Sequence, residues 1–396
     1  MTPIDHDPFS PETRADPFPA LARLREHCPV HRYDDRGLRF SSLSRRADVL
    51  AALKDVGTFS SRQGQGPFRS EPIGLFDDPP SHTFFRRLVT TSFTPRAVHQ
   101  RQQMIEALVE ELVDAMLDSA DRSADLHDAL AMPLPTIVIA RMLGVPEAMR
   151  DTFKRWSDAQ VAGMGAGDVD EQRRTRREMQ EHFLAEVARR RELLAAGRDL
   201  PDDLVSGLVM ASIHEDRPIT DEELLSLLTQ LLVGGNETTT SLVTNLVWRL
   251  LERPERWRSI VDDPSMVDAA IEESLRFDPP VLGLYRATTC PVTLHGETID
   301  ADEKVMLWWA SANRDPDVWD DPDEFRLDRD LVALRGRHLS FGFGIHACPG
   351  ASLSRLEARL ALTALVRSVP TLELAAQPTR IEPFFLWGRR SLPVSW

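Results

Sequence analysis

The chain has 396 residues, 42% of them hydrophobic and 28% charged, with a formal net charge of −15 at pH 7. That length can bury a large core, and the acidic balance excludes general nucleic-acid binding and attraction to an anionic membrane surface. Cys28, Cys290 and Cys348 are few, far apart and odd in number, which excludes a disulfide framework; with neither a basic-then-apolar leader nor a membrane-length apolar run, a cytoplasmic protein is expected.

Residues 18–27 read as a helix and 29–43 as a β-hairpin turning at Asp34-Asp35-Arg36-Gly37. Ser44 is the expected N-cap of a short helix through Leu53. Residues 57–80 form a long loop rich in Gly, Pro and Ser, whose scattered apolar residues Phe59, Phe68, Ile73, Leu75 and Phe76 suit a lid better than a linker. Pro79, Pro80 and Ser81 start a helix on which His82 and Arg86, four apart, share a face. Taken alone, that is an ordinary solvated basic face, and Arg87 is read so. Ile105, Leu108, Leu112 and Met116 keep helical spacing through one core helix over 96–119; 135–144 reads as another, and 168–198 as a charged surface helix.

Thr220-Asp221-Glu222-Glu223 is a capping-box start for a helical pattern running to about Glu252, far longer than a usual globular helix. It is apolar on nearly every side, which predicts burial. In its middle sits Gly234-Gly235-Asn236-Glu237-Thr238-Thr239. Two glycines there cost roughly 1 kcal/mol each relative to Ala, and a buried acid adds a desolvation cost. A close helix crossing with a solvated Glu is the plain explanation. A locally opened helix, with Glu237 and Thr238 facing a cavity, is the better fit. Beyond it Glu273 and Arg276 lie three apart on one helical face, a spacing that alone means no more than a surface pair.

The densest chemistry lies in His338-Leu339-Ser340-Phe341-Gly342-Phe343-Gly344-Ile345-His346-Ala347-Cys348-Pro349-Gly350. Its glycines require tight or left-handed turns, and a helical pattern follows at once. A cysteine there sits where the helix dipole and free N–H groups favour a thiolate; a buried structural cysteine is the plain alternative. Zinc is the rival metal, because His346 and Cys348 are both ligand types, but a structural zinc site wants four ligands and no second pair lies near. A c-type heme needs Cys-x-x-Cys-His, which is absent, whereas heme with one axial thiolate needs one cysteine.

Phe341-Gly342-x-Gly344-x-His346-x-Cys348-x-Gly350 resembles the cysteine-ligand loop of the cytochrome P-450 superfamily. Gly-Gly-x-acid-Thr at 234–238 is similar to the oxygen-binding groove of that family's central helix, and Glu273-x-x-Arg276, the run 313–325 and the segment 383–388 also look like its ordered motifs. The resemblance implies a mainly α fold with a small β-rich region, the triangular prism, as a single catalytic domain over 1–396. It implies heme b (iron protoporphyrin IX) with Cys348 as metal ligand, Phe341, His346 and Gly350 in the cofactor loop, and His82, Arg86 and Arg286 as its remaining partners. For the propionates the planar fork of Arg is suited to bidentate bonding. Glu237 and Thr238 become the catalytic pair that manages water and protons, and Glu273 and Arg276 a structural tie. Pro349 has no N–H, so one donor that could bond the sulfur is missing.

The implied activity is a monooxygenase that uses dioxygen to hydroxylate or epoxidise a hydrophobic small molecule. Electrons come from a separate ferredoxin and ferredoxin reductase, docking on a face expected to carry Arg335, Arg337, Arg355 and Arg359 against Glu357. The expected cavity lining includes Phe68, Leu75, Leu231, Leu282, Phe384 and Phe385. Two alternatives stand beside this: a peroxide-driven peroxygenase, against which the retained acid–alcohol pair speaks, and a non-catalytic heme-binding recruitment or sensor module.

Overall fold

A computed structural model of the chain describes residues 4, 6–71, 73–162, 169–214, 219–381 and 384–396. The fold is mainly helical, with small β-sheets at one side. Strands β1 (Val30–Asp35) and β2 (Leu38–Leu43) form the expected hairpin, turning at Arg36 and Gly37, both with positive φ, 54° and 72°. Those angles give the turn the right-handed twist that a two-residue hairpin needs. β3 (Phe59–Ser60), β4 (Leu284–Thr288) and β5 (Lys304–Leu307) complete a five-stranded sheet in the order β1-β2-β5-β4-β3. Within it β2 and β5 pair in parallel, with Ser41 opposite Val305. The sheet thereby places the foot of the 57–80 loop beside the strand that carries Arg286, with the N-terminal hairpin one strand further away, across β5.

The central helix, Asp221–Leu251, is 31 residues long and roughly 46 Å from end to end at 1.5 Å per residue. Its capping box is complete: Thr220 Oγ1 accepts from Glu223 N–H (3.2 Å), and Glu223 Oε2 accepts from Thr220 N–H (2.9 Å). Leu224, Leu228, Leu232, Leu242, Val247 and Leu250 are all essentially inaccessible, because the helix is packed on several sides by Pro133–Met142, Val267–Phe277 and Ala351–Ser368. One continuous apolar core joins these helices.

Two local expectations fail for physical reasons. The short helix is Arg46–Lys54, and Ser44 does not cap it: that hydroxyl is buried against the Pro29 carbonyl (3.4 Å), while Asp315 accepts the N–H of Arg46 (2.8 Å) from 269 residues away. The expected helix over 96–119 is two, Pro95–Gln100 and Gln102–Leu117, the first capped by Thr94. The charged surface helix is Val169–Ala195, residue 168 lying outside the described residues. No helix among the described residues is long and apolar enough to cross a membrane.

Candidate active site

Four segments distant in sequence meet here, and Leu75 shows how. Its N–H donates to Gln230 Oε1 on the central helix (2.9 Å), and its carbonyl lies 3.2 Å from His346 Nδ1 in the cysteine loop. The 57–80 loop therefore spans from the central helix to the cysteine loop. Under it the middle of the central helix is accessible: Gly234 is exposed and Glu237 and Thr238 are half-buried, although Leu231, Leu232 and Thr239 around them are buried.

The cysteine loop is held by Cys348 N–H to the Phe341 carbonyl (2.8 Å) and Gly342 N–H to the Leu339 carbonyl (2.8 Å). Gly342 and Gly344 adopt φ of 70° and 73°, the left-handed region in which a side chain would be strained. Gly350 caps helix Ala351–Ser368, and the Phe341 ring packs beneath the Arg355 guanidinium (4.5 Å). Cys348 is accessible, yet protein surrounds it closely enough for burial to push its thiol pKa up. Both hold for a side chain that opens on an internal cleft. The N–H groups of Gly350 and Ala351 and the charges of Arg86 and Arg355 pull the other way, toward thiolate.

Beside the thiol two arginines and two histidines gather, short of an anion. Arg286 is 3% exposed, and its side chain's only hydrogen bond among the described residues runs from Nη1 to the Tyr285 carbonyl (3.0 Å). Burial holds its pKa down at about 10, with Asp78 opposing weakly. The rings of His82 and His346 lie 4.4 Å apart, and each leaves a buried Nε2 without a partner among the described residues. Burial first, then Arg286 and His82, lower His346 to about 4. Arg86 is half-buried and feels Cys348. A buried cation and two orphaned ring nitrogens beside an accessible thiol fit a group carrying both a thiol-seeking metal and carboxylates. Zinc finds no ligand set here: no group of three or more His, Cys, Asp or Glu among the described residues is gathered to hold a metal ion.

The opened central helix that the two glycines suggest is not found; the helix is continuous through 234–239. Thr238 Oγ1 bonds the Gly234 carbonyl (2.8 Å), and with its proton so used the oxygen faces the cleft as an acceptor. Asn236, which sequence reasoning passed over, takes a hydrogen bond from Thr136 Oγ1 (2.8 Å) and gives one to the Ser157 hydroxyl. It ties the central helix to two neighbours and so fixes the rotation at which Glu237 and Thr238 are presented. Burial pushes Glu237 up to about 7, with Arg390 lowering it and Asp158 raising it by less.

Glu273 and Arg276 are wholly buried and paired through two bonds, Nη2 to Oε1 (2.7 Å) and Nε to Oε2 (2.8 Å). Arg276 also donates to the carbonyls of Asn313, Pro322 and Glu324. Next to it Glu272, also missed, accepts from Arg335 (3.1 Å), His338 (3.0 Å) and Arg355 (2.6 Å); burial would raise its pKa, but His338 and Arg355 outweigh it and hold it at about 2. Its only sequence signal was a second acid in an apolar helical pattern. The basic face around the cysteine loop is therefore less free than its composition suggests: Arg335 and Arg355 turn onto Glu272, and Arg359 lies 4.0 Å from Asp268. Glu357 is no counter-charge either, because burial keeps it protonated up to about pH 8. Of the expected lining, Phe68 is 71% exposed at the loop tip, Leu282 is buried in the N-terminal apolar cluster, and Phe384 packs on Phe9 (4.5 Å). Residue 383 lies outside the described residues.

A helical prism, a thiol at a helix N-terminus and an anion-seeking cluster beside it define a heme-thiolate protein. The family model for cytochrome P450 matches residues 167–386. The chain is 36% identical to cytochrome P450 monooxygenase PikC of Streptomyces venezuelae, covering 99% of this chain and 94% of that one. It is 35% identical to the erythromycin C-12 hydroxylase of Saccharopolyspora erythraea, covering 100% and 98%. The solved structure of the Bacillus subtilis 168 cytochrome P450 PksS superposes with a TM-score of 0.88 at 32% identity, covering 99% of each chain. The chain belongs to the cytochrome P450 family. It is a heme-dependent monooxygenase.

Proposed function

We propose that this chain is a heme b monooxygenase of apolar small molecules, folded as one catalytic domain over 1–396, working in the cytoplasm and reduced by a separate ferredoxin and ferredoxin reductase. The observation that carries the site assignment is the buried Arg286, without a carboxylate among the described residues, beside orphaned nitrogens of His82 and His346 and an accessible Cys348.

Cys348 would hold the iron as thiolate, favoured by the N–H groups of Gly350 and Ala351 and by the charge of Arg86. Pro349 offers no N–H, which leaves more negative charge on the sulfur. Arg286, His82, His346 and Arg86 would hold the propionates, and Phe341 and Gly350 shape the loop beneath. A heme held there supplies the reductive activation of dioxygen and the insertion of one oxygen atom into substrate. Thr238 holds a water in the cleft through its free acceptor lone pairs. Glu237, with a pKa near neutrality, takes protons from solvent on the side of Asp158 and Arg390 and passes them to that water. The groove lined by Asp268, Glu272, Arg335, Arg355 and Arg359 lies against the helix that follows Cys348 and offers the ferredoxin a mixed-charge surface on the thiolate side.

The test uses heme-loaded protein, a bacterial ferredoxin with its reductase, and isotopically labelled dioxygen. The probe substrate is whichever compound of an apolar panel shifts the ferric spectrum most. One labelled oxygen atom in the product, dependent on ferredoxin, is expected. Equal product from peroxide alone, without dioxygen, would establish the peroxygenase instead, and no product under either condition the non-catalytic module.

A further inference from the structure

We propose that Gln230 is a positioning residue for substrate: its amide latches the loop at 73–75 shut over the cleft, so that Gln230 and Gly74 set the ceiling of the substrate chamber. This rests on reading the cleft beneath that loop as the chamber.

Gln230 precedes Thr238 by eight residues, about 12 Å along the central helix, and shares its face with Gly234 and Thr238. Its amide is nonetheless fully hydrogen-bonded, by the loop and by its own helix. Oε1 accepts the Leu75 N–H (2.9 Å), and Nε2 donates to the Ile73 carbonyl and to Ser226 Oγ (3.0 Å). The Ser226 hydroxyl donates to the same Ile73 carbonyl (2.6 Å). One primary amide thus pairs with the backbone on both sides of Gly74, much as a neighbouring strand would. Gly74 is required: its φ is 119°, and a Cβ there would lie 2.9 Å from Nε2 and 3.0 Å from Oε1 of Gln230. Any side chain at 74 therefore displaces the amide. Because the Leu75 carbonyl also reaches His346, release of the latch would be felt at the anion-seeking cluster.

The other end of the loop is anchored differently. Lys304 Nζ donates to the Gln63 and Gly64 carbonyls (2.8 and 2.7 Å), and Tyr285 N–H to the Gln65 carbonyl (3.0 Å). Lys304 is 4% exposed, so opening at that end would strand a buried cation. The latch is made of neutral hydrogen bonds, which are weaker than charge-assisted ones. Between the two ends Phe68, Arg69, Ser70 and Glu71 are exposed, and Arg69 Nη1 to Asp302 (2.7 Å) and Ser70 N–H to the Gln63 carbonyl (3.1 Å) add to the Lys304 end. The strap is held at both ends, and Gln230 is the end that can let go.

Hydrogen exchange on the heme-loaded full chain reads the latch directly, since the Leu75 amide is its donor. In Gln230→Leu that amide should exchange about tenfold faster or more, while amides at 242–250 keep their rates. Gly74→Ala, which alters no residue of the central helix, should do the same. In both variants clotrimazole, a bulky azole, should bind the heme faster, and imidazole at an unchanged rate. Unchanged Leu75 exchange in both variants overturns the latch. Faster exchange without the size-selective change in azole binding overturns its role as ceiling. Exchange needs no substrate, so if neither azole shifts the heme spectrum of the wild type, the reading of the cleft has failed while exchange still decides the latch.

Discussion

Replacing Arg276 by Ala is expected to lower the unfolding free energy by about 3–5 kcal/mol, the usual cost of removing one partner from a buried ion pair. Glu273 and Arg276 are both 0% exposed, so nothing in solvent can replace the lost charge. Glu273 keeps Arg326 N–H (2.8 Å) and Arg329 Nε (3.2 Å), but it loses both bonds from the guanidinium. The carbonyls of Asn313 and Pro322 lose this donor at the same time, and that of Glu324 is left with Arg329 Nη2 alone (3.4 Å). Those carbonyls belong to the stretch that leads into the cysteine loop, so heme retention should fall with stability. Arg276→Lys should rescue little, because one ammonium cannot reproduce the fork and reach three carbonyls. Denaturant unfolding checks this. A loss below about 1 kcal/mol would mean that the pair behaves as an exposed one.

Glu237→Gln is expected to slow product formation about 100-fold, the lower range for losing a positioned general acid. With a pKa near 7, Glu237 is protonated below neutrality and can give a proton; above it the acid form is progressively lost. The wild-type rate should therefore decline above pH 7, and the Gln variant should show no inflection there. Stability carries the opposite sign. Burial raises the folded-state pKa above the ordinary 4.5, so this group's stabilising contribution is complete below that value and lost as pH rises through 7. A neutral amide at this position is free of that loss, so the variant should match wild type in acid and exceed it in stability above pH 7. A slower but more stable enzyme is the signature of an acid kept for its proton. A variant with wild-type rate and pH profile would reduce Glu237 to a packing residue.

Local patterns were the legible part of this fold. The capping box at Thr220, the Arg36-Gly37 turn and the glycines of the cysteine loop are set by backbone chemistry within a few residues, and the structure places each as expected. The gathering of His82, Arg86, Arg286, His346 and Cys348 was legible only through resemblance, since no spacing relates residues 82 and 346. What stayed hidden depends on partners far along the chain. Asp315 caps a helix at Arg46, Asn236 is tied by Thr136 and Ser157, and Glu272 gathers arginines that composition alone would leave free. The continuous central helix is instructive as well. Two glycines lower its local stability, but packing on several sides restores more than they remove, and the Thr238 hydroxyl finds its partner at Gly234 without any opening.

The most direct measurement is the carbon-monoxide difference spectrum of the reduced, heme-loaded protein and its three cysteine variants. Cys28 is half-buried with its sulfur against the Val30 carbonyl (3.3 Å), and Cys290 is exposed in a short turn, whereas Cys348 alone sits among Arg86, Arg355 and the N–H groups of a helix start. Cys348→Ser is predicted to abolish the thiolate-type band, and Cys28→Ser and Cys290→Ser to leave it intact. A thiolate band that survives in Cys348→Ser, or disappears in either of the other two, would contradict the assignment of Cys348 as the iron's ligand.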